Sequence, residues 1–586
     1  MKYLTRLIPA LAVVITALSW VPAPAAAVTS TTNPRLSGSF IQPALVDSWT
    51  DTQLANEETA LKNAGITTQI LQWTADTKNK TATYATGLAG YTQSTNTDVP
   101  DRLLANAEAV GTSVYVGLQI SDDWWSKYAS DPIWLNSQAA LANSLADELW
   151  SNYGPYESFA GWYLSFEVDN LNFPTSTEWS RMASFYSTVI GHLHALSPGK
   201  PVVVSPFYNA NLSGSLTPSQ WTTMWSSILN SAPIDIIALQ DGVGAGHATT
   251  SQLASWFSAT KSAISASRPA TRLYDDAETF IFGATGLQPM GIKSVIADLN
   301  AVSSYVSAHW SFSYDHYQSP LAPYSTAYDA TYRNYLTSGS VDGMAPGTPM
   351  GVVATATSSQ NVKLTWSAPT DNIGVAGYNI YRNNALVATS NGSTPQFSDT
   401  QLDGSTAYTY SVTAFDGAGN LSVSSATASV TTPTAPTYST DWALGRPYTT
   451  TVAANPSYPD TNGTELTDAV HGGALYGAAW QGRNNVGTYS FTIDLGETRT
   501  INGFESTWLQ VRSDYVFLPN SVSYAVSTDG ANYTTAATIP LPATDSSTQV
   551  KAYRAISLSA SGRYVRVTID GGTAWSMIDE IMVLAP

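Results

Sequence analysis

The sequence predicts a multidomain chain in which a (β/α)8 TIM barrel is followed by two β-sandwiches. Between residues 34 and 340, apolar runs of strand length alternate with amphipathic helical patterns. Eight such strand–helix units in about 300 residues match a (β/α)8 barrel in number and length. Beyond residue 340 the helical periodicity disappears, and short alternating strands bounded by turns replace it. A doubly wound sheet is disfavoured, because no glycine-rich phosphate loop follows the first strand.

The barrel is predicted element by element from this alternation. The predicted strands are Leu36–Gln42, Thr67–Trp73, Ser113–Gln119, Gly161–Glu167, Pro201–Phe207, Ile234–Gln240, Thr271–Glu278 and Trp310–Tyr317. The predicted helices are Asp51–Gly65, Pro100–Gly111, Asn136–Asn152, Thr177–Leu196, Thr217–Asn230, Thr249–Ser267, Gly291–Tyr305 and Thr326–Thr337. Thr50, Ser176 and Thr217 are of the residue types that cap helix N-termini.

The first residues predict a secretion signal over residues 1–27. Lys2 and Arg6 precede an apolar run from Leu7 to Leu18, and the alanines at 25–27 offer small side chains for cleavage. The run is too short for a membrane span, and no later stretch reaches the ~20 apolar residues that a span needs. We therefore expect a secreted, extracellular protein with no membrane partner.

Composition narrows the classes of function. The chain has no cysteine, which excludes disulfides and thiolate metal sites. Its net charge of −18 argues against nucleic acid as a partner, because phosphates would be repelled. Aromatic residues make up 11% of the chain and charged residues only 12%. Amphipathic rings suit the apolar faces of sugars, although Trp and Tyr also fill β-rich cores.

Polar and aromatic residues end the predicted barrel strands. Because these ends meet at one face of a barrel, we expect them to surround one substrate pocket. The predicted binding residues are Gln72, Trp73, Gln119, Asp169, Asn209, Gln240, Asp241, Asp276, Tyr314, His316 and Tyr317, with Trp124 and Trp125 of the SDDWW run as stacking platforms. For each of these two tryptophans, packing under a loop is an equal alternative. Asp276 shares a strand face with Glu278, whereas Asp275 points the other way.

Glu167 and Glu278 are the predicted catalytic pair. Each follows an apolar strand, GWYLSF or TRLYDDA, so that its carboxyl group lies at the barrel mouth. Two such acids can cleave a glycosidic bond, one by donating a proton and the other by attacking the sugar or activating water. Asp241 is an alternative second carboxylate, and a capping role is the alternative for Glu278.

The runs GWYLSFEVDN, ALQDGVG and LYDDAETF resemble retaining glycoside hydrolases built on (β/α)8 barrels, over most of Leu36–Tyr317. The resemblance implies that Glu167 is the acid/base and Glu278 the nucleophile. The same runs resemble a group of secreted bacterial barrels catalogued as a domain of unknown function. The sequence departs from the hydrolase pattern at one position, since the Asn that usually precedes the acid/base is Phe166 here.

Two further modules are recognised after the barrel, which we place at residues 34–340. Residues 346–433 resemble a fibronectin type III module in KLTWSAP, GYNIYRN and LDGSTAYTYSVTAFDGAGN, with Tyr408 at the tyrosine corner. The resemblance implies a spacer. Residues 438–586 resemble an F5/8 type C, or discoidin-like, module in ALGRPYTTT, FTIDLGETRTINGFE and RYVRVTIDG. That resemblance implies a glycan ligand and a structural calcium, for which the oxygen-rich loops supply Asp460 and Glu580.

These observations predict a secreted glycoside hydrolase that cleaves a polysaccharide with retention and needs no cofactor for catalysis. Two alternatives stay open. The first is a non-catalytic glycan-binding protein, and the second is a polysaccharide lyase that uses Tyr314 or Tyr317. The sequence leaves the sugar and its linkage open.

Overall fold

The computed structural model describes residues 33–283, 286–392, 394–572 and 574–586. The predicted secretion signal at residues 1–27 lies outside this range. No helix within the described ranges combines the length and the apolar character that crossing a membrane requires.

Among the described residues, eight parallel strands form the barrel, in sequence order. They are β1 (Gly38–Ile41), β2 (Thr68–Leu71), β3 (Ser113–Gly117), β4 (Phe159–Leu164), β5 (Val202–Val204), β6 (Ile236–Gln240), β7 (Arg272–Glu278) and β8 (His309–Phe312). The barrel closes because Leu36, just before β1, bridges His309 of β8, and the N–H of Ser37 donates to the His309 carbonyl at 2.8 Å. The predicted fold class is confirmed.

Helices cover the outside of the barrel. The helices in the described part of the barrel are Pro43–Ser48, Asp51–Asn63, Val99–Val110, Trp124–Lys127, Pro132–Tyr153, Ser176–Leu196, Pro218–Leu229, Thr250–Ser267, Ile292–Val302, Tyr314–Tyr317 and Ala327–Ser338. Thr50 and Thr217 cap their helices as predicted, and each forms a capping box. The helix of residues 176–196 is instead capped by Thr175, one residue before the predicted cap.

Six of the eight barrel strands end earlier than predicted, whereas β6 and β7 end at Gln240 and Glu278 as predicted. β2, β3 and β4 end at Leu71, Gly117 and Leu164, so the polar and aromatic residues that follow leave the sheet at the barrel mouth. The prediction of strand for residues 314–317 is wrong, because Tyr314–Tyr317 forms one helical turn after β8. Below the mouth the barrel is filled by buried side chains, among them Phe40, Ile70, Tyr115, Tyr163, Val203, Ile236 and Trp310.

The fibronectin-like unit is a sandwich of two antiparallel sheets. One sheet contains Met350–Ala356, Val362–Ser367 and Gln396–Asp399, and the other contains Val375–Arg382, Ala385–Asn391, Ala407–Asp416 and Ala428–Thr431. Trp366 packs edge-on against Tyr378 in the core, with ring centroids 4.9 Å apart. The hydroxyl of Tyr408 accepts the N–H of Asp403 at 3.0 Å, which is the hydrogen bond of a tyrosine corner.

The C-terminal unit is a second and larger β-sandwich. One sheet contains Thr440–Asp441, Gln481–Asn484, Gly503–Gln510, Gln549–Ala555 and Trp575–Ala585. The other contains Tyr448–Thr450, Thr488–Ile501, Ser521–Ser527, Thr534–Pro540 and Ala560–Asp570. Phe504 and Tyr524 stack between the sheets at 5.0 Å.

Direct contacts join the three units. The N–H of Ile292 in the barrel donates to the carbonyl of Gly417 in the first sandwich at 3.0 Å. The N–H of Arg554 in the second sandwich donates to the side chain of Gln401 in the first at 2.7 Å. The same arginine forms an ion pair with Asp403 at 3.1 Å.

Candidate active site

A deep cleft opens at the C-terminal ends of the barrel strands and encloses about 1110 Å³, including its open mouth. The aromatic residues of the wall are Phe40, Trp73, Trp124, Trp125, Tyr163, Phe166, Phe207, Phe280, Phe282 and Phe312. The polar residues are Gln42, Gln72, Ser121, Ser165, Glu167, Ser205, Gln240, His247, Asp276 and Glu278. The cleft thus combines rings that can stack on a sugar with many hydrogen-bonding groups.

Glu167 lies on this wall, three residues after β4 ends at Leu164. Burial raises the pKa of its carboxyl group to about 8. A hydrogen bond from the Gln240 amide opposes this rise in pKa, while the negative charges of Glu278 and Asp169 add to it. Glu167 is therefore protonated at neutral pH, as a general acid must be.

Glu278 is the last residue of β7 and is 7% exposed. Its Oε2 accepts the N–H of Ala245 at 2.5 Å, and the N–H of Gly244 also interacts with the carboxylate. Burial raises the pKa of Glu278 to about 7, and these two N–H groups limit the rise because they stabilise the ionised form. The two N–H groups therefore favour the ionised form of Glu278.

Gly244 permits this arrangement through the absence of a side chain. A Cβ at this position would lie 2.4 Å from the carbonyl oxygen of Phe280 and 2.9 Å from the Cβ of Glu278. Any larger residue would displace the loop from Glu278. The GVGAG run after β6 is thus needed for the close approach of its backbone to the carboxylate.

Asp276 is a third carboxyl group of the cleft, on the same face of β7 as Glu278. Its Oδ2 accepts the Ser205 hydroxyl at 2.9 Å, and its Oδ1 is buried without a hydrogen-bond partner among the described residues. Burial holds its pKa well above the usual range, which the charges of Asp275, Glu278 and Glu167 reinforce. The neutral form of Asp276 is therefore favoured, and in this form the carboxyl group can donate a hydrogen bond.

The two tryptophans of the SDDWW run have different environments. Trp124 is 1% exposed and stacks on Phe166, with centroids 4.9 Å apart and planes 5° from parallel. The prediction of Trp124 as an open stacking platform is corrected, because its ring belongs to the packed base of the cleft. Trp125 is half-buried near Phe207, and Trp73 is half-buried on the wall. Phe166, which stands where the hydrolase pattern has Asn, contributes to the aromatic packing around Trp124.

Four predicted binding residues lie outside the cleft. The Gln119 amide donates to the Gln138 carbonyl, and the Asp169 carboxylate accepts the N–H groups of residues 171 and 172. Asn209 accepts the N–H of residue 211 in its own loop. The Asp241 carboxylate accepts the N–H of Glu278 at 3.3 Å, and therefore supports the backbone of β7 from behind. These predictions are corrected, because each side chain is used by the local backbone or the barrel wall.

The predicted binding residues after β8 are also not among those that line the cleft. The Tyr314 hydroxyl donates to Asp329. His316 bonds to Ser313 and stacks on Phe312, and burial lowers the pKa of its imidazole to about 4. Tyr317 packs on Phe280 in the barrel core, with centroids 5.5 Å apart. The prediction of all three as substrate contacts is corrected, and the lyase alternative loses its two tyrosines.

Several wall residues have no counterpart in the sequence prediction. His247 stacks on Phe207 at 5.9 Å, its Nε2 has no hydrogen-bond partner among the described residues, and burial lowers its pKa to about 4. Phe282 is 46% exposed on the strand Phe280–Gly283, which pairs with Gly286–Pro289 beside the cleft. The alternating FIFG run directly after Glu278 is a signal that could have predicted this strand.

In the C-terminal sandwich, Asp460 and Glu580 have different surroundings. Asp460 accepts the N–H of Gly463 at 2.7 Å within its own loop. Glu580 is fully buried, and among the described residues neither of its carboxylate oxygens has a hydrogen-bond partner of ordinary geometry. Burial raises the pKa of Glu580 to about 8, and the charges of Asp468, Asp441 and Asp579 add to the rise. Glu580 therefore has the free oxygens and acidic neighbours that a calcium ligand needs.

Two family models match this architecture. Residues 36–324 match the family described as "Domain of unknown function (DUF4434)", and residues 451–581 match the F5/8 type C domain. The chain carries a DUF4434 barrel and an F5/8 type C domain. The match to DUF4434 includes every strand of the barrel and both glutamates of the cleft.

Curated relatives match over short stretches. Chitinase Chi52 of Paenibacillus xylanexedens is 43% identical over 91 residues, which are 16% of this chain and 17% of that protein. Exoglucanase B of Cellulomonas fimi is 43% identical over 99 residues (17% of this chain and 9% of that protein). An alpha-amylase of Niallia circulans is 47% identical over 94 residues (16% and 7%). The chain thus spans less than a fifth of the length of these relatives.

Solved structures are similar to parts of the chain. A putative alpha-L-fucosidase from Bacteroides thetaiotaomicron covers 55% of this chain and 99% of its own, with 21% identity and a TM-score of 0.44. CpGH89CBM32-6 from Clostridium perfringens covers 25% of this chain and 98% of its own, with 18% identity and a TM-score of 0.18.

Proposed function

We propose that this protein is a secreted glycoside hydrolase that cleaves a polysaccharide, with Glu167 as acid/base and Glu278 as nucleophile. One observation carries the proposal. The two glutamates line a single cleft at the barrel mouth, and the charge of Glu278 contributes to the raised pKa of Glu167. The names of the curated relatives, which include a chitinase, an exoglucanase and an amylase, support a polysaccharide as the substrate class.

The chemistry follows from the two protonation states. Glu167 transfers its proton to the glycosidic oxygen while the Glu278 carboxylate attacks the anomeric carbon, so the C–O bond breaks and a glycosyl ester forms on Glu278. Glu167, now ionised, removes a proton from water. The resulting hydroxyl attacks the anomeric carbon, and Glu278 leaves as a carboxylate. After the two steps, Glu167 is protonated again, Glu278 is again a carboxylate, and the glycosidic bond has been hydrolysed.

The surroundings of the pair suit this sequence of steps. The N–H of Ala245 fixes Oε2 of Glu278, which leaves Oε1 as the attacking atom. The Oε1 of Gln72, the Nε2 of His247 and the Oδ1 of Asp276 have no hydrogen-bond partner among the described residues. All three residues line the cleft, where sugar hydroxyls can satisfy these atoms. Trp73 and Trp125 supply half-buried rings for stacking.

The sandwich domains take supporting roles in the proposal. The F5/8 type C domain would bind a glycan and hold the barrel near an insoluble or polymeric substrate, which raises the local substrate concentration. A structural calcium would be held by Glu580, whose buried oxygens have no hydrogen-bond partner of ordinary geometry among the described residues, with Asp460 as the predicted loop ligand.

The test compares turnover with binding. Four proteins are assayed for release of reducing ends from a panel of soluble polysaccharides: wild type, Glu167→Gln, Glu278→Gln and the surface control Glu157→Gln. Binding to the same polysaccharides is measured by affinity electrophoresis. We expect the control to match wild type, and each cleft variant to lose at least ~10³-fold in kcat while it retains binding. Binding without turnover by wild type on every polysaccharide would instead indicate a glycan-binding protein.

A further inference from the structure

Three aspartates from separate segments meet where the barrel joins the first sandwich. Asp342 lies in the connection after the helix Ala327–Ser338, Asp371 lies in the loop before the strand Val375–Arg382, and Asp416 ends the strand Ala407–Asp416. One carboxylate oxygen from each lies within 4.8 Å of the others. Within the described residues, these aspartates are the one group of at least three potential metal-ligating side chains whose ligand atoms lie this close together.

Two of these carboxylates present a free oxygen. Asp342 is 9% exposed; its Oδ1 accepts the N–H of Met344 at 3.0 Å and the amide of Asn372 at 3.1 Å, whereas its buried Oδ2 has no hydrogen-bond partner among the described residues. Asp371 repeats the pattern. Its Oδ2 accepts two backbone N–H groups at 2.8 Å, and its buried Oδ1 has no partner within the described ranges. One oxygen of each aspartate is thus fixed by the loop, and the other is left for a ligand.

Negative charge at this point is not balanced by a basic side chain. In the described part of the chain, no Lys, Arg or His forms an ion pair with any of the three aspartates. Asp416 is fully buried, and its two oxygens accept the N–H and the side-chain amide of Asn420, both at 2.8 Å. Buried carboxylates that are close together repel one another unless a cation lies between them.

We propose that Asp342, Asp371 and Asp416 bind a divalent cation, and that this cation is Ca²⁺. All three side chains offer oxygen, and neither imidazole nor thiolate takes part, which selects a hard cation. Oxygens on opposite sides of a Ca²⁺ ion are ~5 Å apart, because each Ca²⁺–oxygen bond is ~2.4 Å long. The three oxygens all lie within 4.8 Å of one another, which is close enough for one such ion to contact all three.

The position of the site implies what the cation does. The side-chain amide of Asn420, which binds Asp416, also donates to the backbone carbonyl of Asp342 at 3.0 Å. Next to it, Ala327 and Tyr328 of the last barrel helix pack with Ala376 and Phe415 of the sandwich. The cation would therefore fasten the connecting segment to the sandwich and fix how the sandwich sits on the barrel. This site is separate from the calcium that the C-terminal domain would hold at Glu580.

The experiment counts bound calcium in the full chain. Five chelator-treated proteins are dialysed against Ca²⁺, and the bound metal is measured per chain. They are wild type, Asp371→Asn, Asp342→Asn, Glu580→Gln and the surface control Glu157→Gln. We expect Asp371→Asn and Asp342→Asn each to bind one Ca²⁺ fewer than wild type and the control. Glu580→Gln should retain the ion at Asp342, Asp371 and Asp416. The double variant with Glu580→Gln and Asp371→Asn should lose that ion.

A second measurement does not depend on the folding of a variant. The variant Glu580→Gln keeps all three aspartates. Its cleavage by a protease near Met344, which is 64% exposed, is followed with and without Ca²⁺. We expect Ca²⁺ to slow cleavage of this connection at least ~5-fold, since cleavage follows local opening. Equal calcium content in wild type and a folded Asp371→Asn, or a cleavage rate in Glu580→Gln that Ca²⁺ does not change, would overturn the proposal.

Discussion

Replacing Glu278 with Gln should stabilise the barrel at alkaline pH and change its stability little at pH 4. Gln keeps the size of the side chain and an oxygen that can accept the N–H of Ala245, but it cannot ionise. In the wild type, the raised pKa means that the folded state binds the Glu278 proton more tightly than the unfolded state does. The stabilisation from this proton is fully present below pH ~4.5 and is lost as the pH rises through ~7.

The magnitude follows from the size of the pKa change. Folding raises the pKa of Glu278 from 4.5 to about 7, and each pH unit corresponds to ~1.4 kcal/mol. The wild type therefore loses about 3 kcal/mol between pH 4 and pH 8.5 that the Gln variant does not lose. For a domain of this size, that difference corresponds to roughly 5 °C in Tm.

Scanning calorimetry of wild type and Glu278→Gln at pH 4 and pH 8.5 measures the effect. We expect the Tm difference between the two proteins to grow by roughly 5 °C in favour of the variant at the higher pH. Glu157→Gln, on the exposed surface of the barrel, is the control and should show no such growth. A Tm difference that is the same at both pH values would refute the assignment of a buried, protonation-favouring environment to Glu278.

Three further predictions concern the cleft and the first sandwich. The pH profile of kcat/KM should be bell-shaped, falling above pH ~8 as Glu167 loses its proton and below pH ~7 as Glu278 gains one; a flat rate from pH 5 to 9 would contradict both roles. Gly244→Ala should reduce kcat at least ~10-fold, because the displaced loop no longer fixes Glu278, while circular dichroism stays unchanged. Arg382→Met should destabilise the fibronectin-like sandwich by about 3 kcal/mol in urea unfolding, since the fully buried Asp399 loses its ion pair at 2.8 Å. An unchanged urea midpoint would contradict that account.

The barrel could be predicted because its strands are short apolar runs between amphipathic helices. All eight predicted strands have a counterpart, and the errors lie at their ends. Residues such as Gln72 and Trp73 extend the β-prone pattern of β2, yet they leave the sheet to line the cleft. The sequence pattern cannot locate the residue at which the chain leaves the sheet, because that residue depends on the packing at the barrel mouth. The strand prediction for residues 314–317 was wrong for a related reason, because a single helical turn is too short to show a helical periodicity.

The position of the two glutamates at the barrel mouth could be predicted, because Glu278 ends β7, Glu167 lies just beyond β4, and the ends of barrel strands meet at one face. Their neighbours could not. Asp241 also follows a strand, but its side chain turns behind β7 to accept the N–H of Glu278. Trp124 differs from Trp125 by one position, and only the packing on Phe166 decides which ring is buried. The three aspartates at the junction are up to 74 positions apart, from Asp342 to Asp416, so their meeting depends on how the domains pack.

The dependence of rate on the leaving group tests the division of roles between the two glutamates most directly. Wild type, Glu167→Gln and Glu278→Gln are assayed on dinitrophenyl glycosides of the sugar that the polysaccharide panel identifies. Dinitrophenolate departs without a proton, so Glu167→Gln should form the glycosyl ester at close to the wild-type rate, seen as a burst of dinitrophenol, while Glu278→Gln stays inactive. Equal loss of the burst in both variants, or a burst that survives in Glu278→Gln, would contradict the assignment of Glu278 as nucleophile and Glu167 as acid.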